Sequence, residues 1–213
     1  MPDALFAQGY GQTEASPIIT ALPPDFHVPG GDKLRSAGRA ALGVEVAIFD
    51  KDDTERPRCE VGEICARGPN VMLGYWGMEE ASAEALRNGW LHTGDLGYMD
   101  EDGFVFIVDR VKDMIISGGE NIFSVEVESA IYSHPAVQEC AVVGIPHDEW
   151  VETVHAIVVP RQGHVLTEDE LLSHCRELIA GYKLPRSIEF RSEPLPISGA
   201  GKILKNELRA PYW

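Results

Sequence analysis

An apolar run, Phe104-Val-Phe-Ile-Val108, stops abruptly at Asp109-Arg110-Val-Lys112-Asp113, and the hydrophobic pattern differs on its two sides. Before it come short extended pieces separated by turn signals. Residues 44–49 alternate weakly, residues 62–67 read as a second strand, and residues 79–87 read as a short helix. The turn Asp100-Glu-Asp-Gly103 feeds the apolar run itself. This pattern predicts a small antiparallel sheet or barrel over about 40–109. Residues 14–43, rich in Pro, Gly and Ala, read as loop with short extended pieces. Past Arg110 helices and buried strands alternate. Ser124 is placed to cap a helix carrying Val127, Ala130 and Ile131 on one face, and Cys140-Ala-Val-Val143 and Val154-His-Ala-Ile-Val-Val159 read as buried strands. Thr167-Glu-Asp-Glu170 fits a capping box, in which the hydroxyl accepts from the third helical amide. The helix it opens puts Leu171, Leu172, Cys175, Leu178 and Ile179 on one face, with Gly181 as its terminator. A domain boundary at 110–112 follows from the change of pattern alone.

Charge narrows the partners. Lys and Arg number 18 against 34 Asp and Glu, a formal net charge of −16 that argues against nonspecific nucleic-acid binding. The end of the chain departs from this balance: residues 181–213 hold six basic side chains against three acidic ones, enough to attract phosphates locally. No apolar run reaches the length of a membrane span, and the start lacks the basic and apolar regions of a secretory signal. Four cysteines without a CxxC pair or a zinc-like spacing predict a cytoplasmic location.

Four short strings carry candidate chemistry. Tyr10-Gly-Gln-Thr-Glu14 supplies an aromatic face, a glycine, a hydroxyl and a carboxylate within a few positions. A hydroxyl suits phosphate, and a single carboxylate suits Mg²⁺, which takes one or two protein carboxylates plus phosphate oxygens. In Trp90-Leu-His-Thr-Gly-Asp95 one carboxylate follows a glycine turn, and a carboxylate accepts from both hydroxyls of a ribose. The string Asp109-Arg110-Val-Lys112 ends the apolar strand in alternating charge. Near the end, Pro196-Ile-Ser-Gly-Ala-Gly-Lys202 presents one ammonium beside a Gly-Ala-Gly turn. This last string is no P-loop, because Ile203 stands where Ser or Thr would follow the lysine. Each string has an ordinary reading when taken singly: a turn with a solvated acid, an aspartate capping its own loop, a solubilising strand end, a surface lysine.

In this order, from about Gln8 to Arg209, the strings resemble the adenylate-forming superfamily of acyl-CoA synthetases, peptide-synthetase adenylation domains and luciferases, most of all the fatty-acid–CoA ligases. The resemblance implies an α/β and α+β chain. Residues 1–109 would be the C-terminal portion of the large AMP-binding domain, with its small antiparallel, barrel-like end. Residues 110–112 would be a hinge and 113–213 a compact, mobile α+β domain. It further implies ATP, Mg²⁺ and CoA as reactants and cofactor, with a small carboxylic acid as substrate; a homodimer is compatible with the chain. Nucleotide binding falls by resemblance to Tyr10 (stacked on adenine), Gly11, Thr13 (at phosphate), Asp95 (at ribose), Ile107, Arg110 and Lys202. The metal falls to Glu14, and the catalytic set becomes Lys202, Thr13 and Glu14. Lys112 becomes the hinge, while Gly118, Gly119 and Glu120 of Ser117-Gly-Gly-Glu-Asn121 line the CoA passage once the small domain has rotated.

Family members carry a long stretch ahead of the Tyr10 motif, with a Gly/Ser/Thr-rich phosphate loop and most of the acyl pocket. Only nine residues precede Tyr10, so the isolated chain is expected to be inactive. One further departure is Val151, where the family usually has a glycine. Two alternatives stay open: an adenylation domain that loads a carrier protein, and a noncatalytic piece that binds nucleotide or a partner chain.

Overall fold

The computed structural model describes residues 4–199 and 201–213. The first three residues, and Ala200 of the Gly-Ala-Gly turn, lie outside the described residues. Backbone contacts divide the chain into two compact units, Met1–Val111 and Lys112–Trp213. Among the described residues no helix is long and apolar enough to cross a membrane.

In the first unit, β1 (Gln8–Gly11), β2 (Ile18–Leu22) and β3 (Arg39–Ala40) form a three-stranded antiparallel sheet. Four more strands, β4 (Glu45–Phe49), β5 (Gly62–Arg67), β6 (Leu91–Met99) and β7 (Val105–Arg110), pair antiparallel in chain order. Among the described residues this second sheet is open, running in line from β4 to β7. The short helix α1 (Glu79–Ala85) lies between β5 and β6. Both faces of the four-stranded sheet are covered, which explains its apolar runs. Ile48, Ile64, Met99 and Val105 pack together, while Ala47, Phe49 and Cys65 pack with Trp90. Across β6 and β7, Tyr98 faces Phe106 in register and the rings stack with centroids 4.9 Å apart, the cross-strand pairing that stabilises sheets. The long strand β6 was not legible as a strand. Its Thr93-Gly94-Asp95 stretch breaks the alternation by bulging out of the β5 register, with Gly94 at φ +72.

The second unit begins with the hairpin β8 (Ile115–Ser117) and β9 (Glu120–Ile122), then α2 (Ser124–Tyr132), β10 (Val137–His147), β11 (Val151–Pro160), α3 (Glu168–Arg176), β12 (Ser187–Phe190) and α4 (Lys205–Arg209). Its five-stranded sheet has the order β10-β11-β8-β9, with β12 parallel to β11. Alternate residues of β10 and β11 fill two separate cores. Cys140, Val142, Val154, Ala156 and Val158 meet Val127 and Ile131 of α2 and Leu171 and Cys175 of α3, whereas Ala141, Val143, Ile157 and Val159 meet Leu195 and Leu208. Each fully buried Val, Ile or Leu contributes about 1.5–3 kcal/mol, so this unit has a core of its own on both faces.

Two local expectations are corrected here. Ser124 is the first helical residue rather than the cap; the cap position is Phe123, and the Ser124 hydroxyl accepts from Lys205 Nζ at 2.7 Å. Thr167 does cap α3, accepting from the Glu170 amide, but α3 ends at Arg176, short of Gly181. The chain turns extended at Ala180, Leu178 is exposed, and Gly181 opens a separate 3₁₀ turn.

Candidate functional site

Three of the nucleotide-binding candidates touch one another in the first unit. Tyr10 lies on β1 and donates its hydroxyl to Asp95 Oδ2 at 2.8 Å. Asp95 is aimed there by the bulge of β6, and its register partner on β7 is Arg110, whose Nε lies 3.4 Å from Asp95 Oδ1. Burial, with the neighbouring Asp95 charge, pushes the Tyr10 phenol well above its ordinary value, so it is a fixed donor to the carboxylate at neutral pH. The Arg110 side chain is about half exposed, 47%, leaving its guanidinium open to an anion. Its amide donates to Asp109 Oδ1 at 2.7 Å, which fixes the strand end. Ile107, on the same strand, is also exposed.

Gly11, Thr13 and Glu14 follow Tyr10 at the end of β1. Gly11 is required for a local reason: a Cβ there would collide with the Pro17 carbonyl. Thr13 and Glu14 lie in a 3₁₀ turn, Thr13–Ala15, that exposes the Thr13 side chain. Glu14 Oε1 accepts from the Tyr75 hydroxyl at 2.9 Å, and its carbonyl accepts from the Met72 amide at 2.8 Å. The carboxylate is partly exposed and held by one neutral donor, a donor set that fits Mg²⁺ sharing its shell with phosphate oxygens.

Another cluster, Glu63, Cys65 and His92, brings three potential ligand atoms within 4.8 Å of one another. It does not fit a metal. The Arg87 guanidinium already bridges Glu63, at 3.1 Å, and Asp53, at 3.3 Å. Burial and the Glu63 charge push the Cys65 thiol up, away from the thiolate a metal requires. An open cleft of about 260 Å³ nearby is lined by Val71, Met72, Leu86, Trp90 and Leu91 with Arg67 as its charged side chain, and contains none of the candidate residues.

The second unit carries the remaining candidates. Lys112 is its first residue, and the Lys112 carbonyl accepts from Arg209 at 3.0 Å. Gly118 and Gly119, at φ +60 and +86, form the two-residue turn between β8 and β9, the geometry that favours glycine at both positions. Glu120 follows, exposed, on β9. Lys202 is exposed at the end of a turn in which the Ser198 amide donates to the Lys202 carbonyl at 2.7 Å and Ile197 pairs with Ile203. Among the described residues its ammonium has no ion-pair partner. Two contacting residues, Tyr75 and Glu63, were missed. An acid inside the buried strand Gly62-Glu-Ile-Cys-Ala was the available signal for Glu63; nothing local marks Tyr75.

Residues 1–76 match the family described as AMP-binding enzyme, and residues 126–202 match the AMP-binding enzyme C-terminal domain, so the chain belongs to the AMP-binding enzyme family. Among relatives, feruloyl-CoA synthase of Amycolatopsis sp is 49% identical over 207 residues, 97% of this chain and 41% of that protein. The fatty acid–[acyl-carrier-protein] ligase ScoC of Streptomyces coeruleorubidus is 44% identical over 211 residues, 99% of this chain and 40% of that protein. Among solved structures, the o-succinylbenzoate CoA synthetase MenE of Bacillus subtilis with the acyl-adenylate OSB-AMP matches at TM-score 0.85 and 41% identity, over 95% of this chain and 40% of that one. The same enzyme with ATP and magnesium ion matches at TM-score 0.83 and 40% identity, over 95% of this chain and 41% of that one. The chain thus spans about two fifths of the length of these relatives.

Proposed function

We propose that this chain is the C-terminal portion of an ATP-dependent carboxylic acid–CoA ligase that works through an acyl-adenylate. The observation that carries the reading is the Tyr10–Asp95–Arg110 contact, which assembles an aromatic ring, a hydroxyl-accepting carboxylate and a phosphate-pairing guanidinium. In the first step the acid's carboxylate attacks the α-phosphorus of ATP and pyrophosphate leaves. In the second, the CoA thiolate attacks the acyl carbon and AMP leaves. Tyr10 stacks on adenine, Gly11 lets the chain pass beside it, Asp95 binds the ribose hydroxyls, and Arg110 pairs ribose or phosphate with Ile107 alongside. Thr13 contacts phosphate and Glu14 holds Mg²⁺, which neutralises phosphate charge when bound. Lys202 stabilises the charge that builds on the phosphate oxygens in the first step. Gly118, Gly119 and Glu120 line the path of CoA in the second.

The domain reading is 1–109 as part of the large domain, 110–112 as hinge with Lys112 at its centre, and 113–213 as the mobile domain. In the complete large domain the open four-stranded sheet would join further strands at a barrel-like end. The acid is a fatty or an aryl acid, since the relatives' names include both kinds. A second reading, transfer to a carrier protein rather than CoA, is favoured by the similarity to ScoC. Four free thiols suit the expected cytoplasmic location, and light scattering tests the homodimer. By itself the chain is proposed not to adenylate an acid. The test uses a longer protein carrying this chain: acid-dependent pyrophosphate release across fatty and aryl acids, then acyl transfer to CoA or to a phosphopantetheinyl carrier protein. Absence of acid-dependent pyrophosphate release refutes the proposal.

A further inference from the structure

We infer that Glu63 is a positioning residue for the ribose-binding carboxylate Asp95; the inference rests on the reading of Asp95 proposed above. The bulge that aims Asp95 is held from beneath by β5. Between the register pairs Glu63↔Leu96 and Cys65↔His92, β5 contributes only Ile64 while β6 contributes Thr93, Gly94 and Asp95. The extra residues leave backbone donors without ladder partners, and such groups must be satisfied elsewhere. Glu63 satisfies one directly: its Oε1 accepts from the Gly94 amide at 2.9 Å. Thr93 satisfies the next, donating its hydroxyl to the Ile64 carbonyl at 2.7 Å and accepting from the Asp95 amide at 3.1 Å.

The other Glu63 oxygen is fixed as well. Oε2 lies 2.8 Å from His92 Nδ1 and 3.1 Å from Arg87 Nη2, and Arg87 also bonds Asp53. The carboxylate is therefore locked on both oxygens, and only 15% of its side chain is exposed. It spans the residue before the bulge, His92, and the residue at its apex, Gly94. Because Gly94 adopts a positive φ, its peptide planes could rotate if this acceptor were lost, and Asp95 would turn with them. Glu63 does not face Tyr10 or Arg110, so its influence on nucleotide runs through the placing of Asp95. A merely structural role would weaken every ligand of the unit alike. A positioning role weakens only those that use the ribose hydroxyls.

The test is an NMR titration of the full chain with AMP and with 2′,3′-dideoxy-AMP, which lacks those hydroxyls. Unsubstituted protein is expected to prefer AMP by about 10- to 100-fold, the scale of hydrogen bonds to a carboxylate. Glu63→Met keeps the length of the side chain and removes the acceptor, and should bring the preference to within about threefold of unity, leaving dideoxy-AMP affinity unchanged. Glu63→Gln still offers an amide oxygen to Gly94 and should restore most of the preference. Should the Met variant not fold, the unsubstituted chain still decides: AMP must shift the Gly94 amide resonance and dideoxy-AMP must not. A Met variant that keeps the full preference, or a Gly94 amide that ignores AMP while AMP still outcompetes its dideoxy analogue, overturns the role of Glu63 alone. If the unsubstituted chain does not prefer AMP at all, the ribose reading of Asp95 falls, and the inference with it.

Discussion

Replacing Val151 by glycine is expected to stabilise the second unit. Val151 opens β11 at φ +70, a conformation in which an L-residue crowds its own Cβ against the following carbonyl. It is held there by pairing with His147 of β10 and with Ser117 of β8. A non-glycine residue in this region costs about 1–3 kcal/mol, and a β-branched one belongs at the top of that range. Two losses offset the relief. Glycine gives up about 0.5–1 kcal/mol of backbone entropy. The valine side chain is 68% exposed, so its removal forfeits about a third of the 1.5–3 kcal/mol that full burial brings. The balance is a gain of about 1 kcal/mol, which for a cooperative unit of about 100 residues raises Tm by about 4–8 °C. Thermal melts of three variants check it. Val151→Gly should rise, Val151→Asn should rise less, since Asn tolerates the left-handed region, and Val151→Ile should stay near the starting value. A Val151→Gly protein that melts lower than the original would refute the strain argument.

Three further outcomes are expected. In a longer protein carrying this chain, Lys202→Ala should slow acyl-adenylate formation by roughly 10²–10³-fold and spare thioester formation from supplied acyl-adenylate, whereas Lys112→Pro should do the reverse; equal losses in both half-reactions for Lys202→Ala would make the lysine structural. Residues 113–213 expressed alone should melt cooperatively, because one contiguous core joins α2 and α3 to their sheet, while 1–109, whose buried side chains fall into small separate clusters, should not; a cooperative monomeric 1–109 contradicts this. His155, 5% exposed between Ser187 and the Tyr212 hydroxyl, has its imidazole pKa lowered from 6.5 by burial, against the pull of Glu189. The unfolded chain therefore binds the proton more readily. The contribution of His155 is complete above pH 6.5 and is lost as pH falls through the lowered folded value, so His155→Gln should flatten the pH dependence of Tm over that window.

Legibility followed the range of the interactions. Strands β5, β10 and β11 were plain because their apolar runs are buried on both faces, and the Thr167 cap was plain because a capping box is written within four residues. The strand β6 was obscured by its own bulge, the feature that brings Asp95 to Tyr10 and Arg110. Ser124 looked like a cap because a hydroxyl before an apolar face usually is one; what claims it is Lys205, 81 residues later. The Tyr10–Asp95 bond spans 85 residues, and its two halves were visible only as separate strings. Periodicity cannot report a side-chain contact of that kind, nor the positive φ of Val151, which lies just ahead of the run Val154–Val159 that reads as a buried strand.

The lysine turn has a further consequence. Leu195 and Leu208, 3% and 2% exposed, are driven into the same core on either side of it, and the Ile197↔Ile203 bridge ties its neck. On a free tether of about seven residues an ammonium would roam with an end-to-end spread of roughly 15 Å. Stapled at both ends, it occupies a far smaller volume, and its local concentration at any one point within reach is correspondingly higher. The entropy of confining it is met when the unit folds rather than when a ligand arrives. A chain cut just after Lys202 would keep the ammonium and lose Leu208, turning a placed charge back into a wandering one.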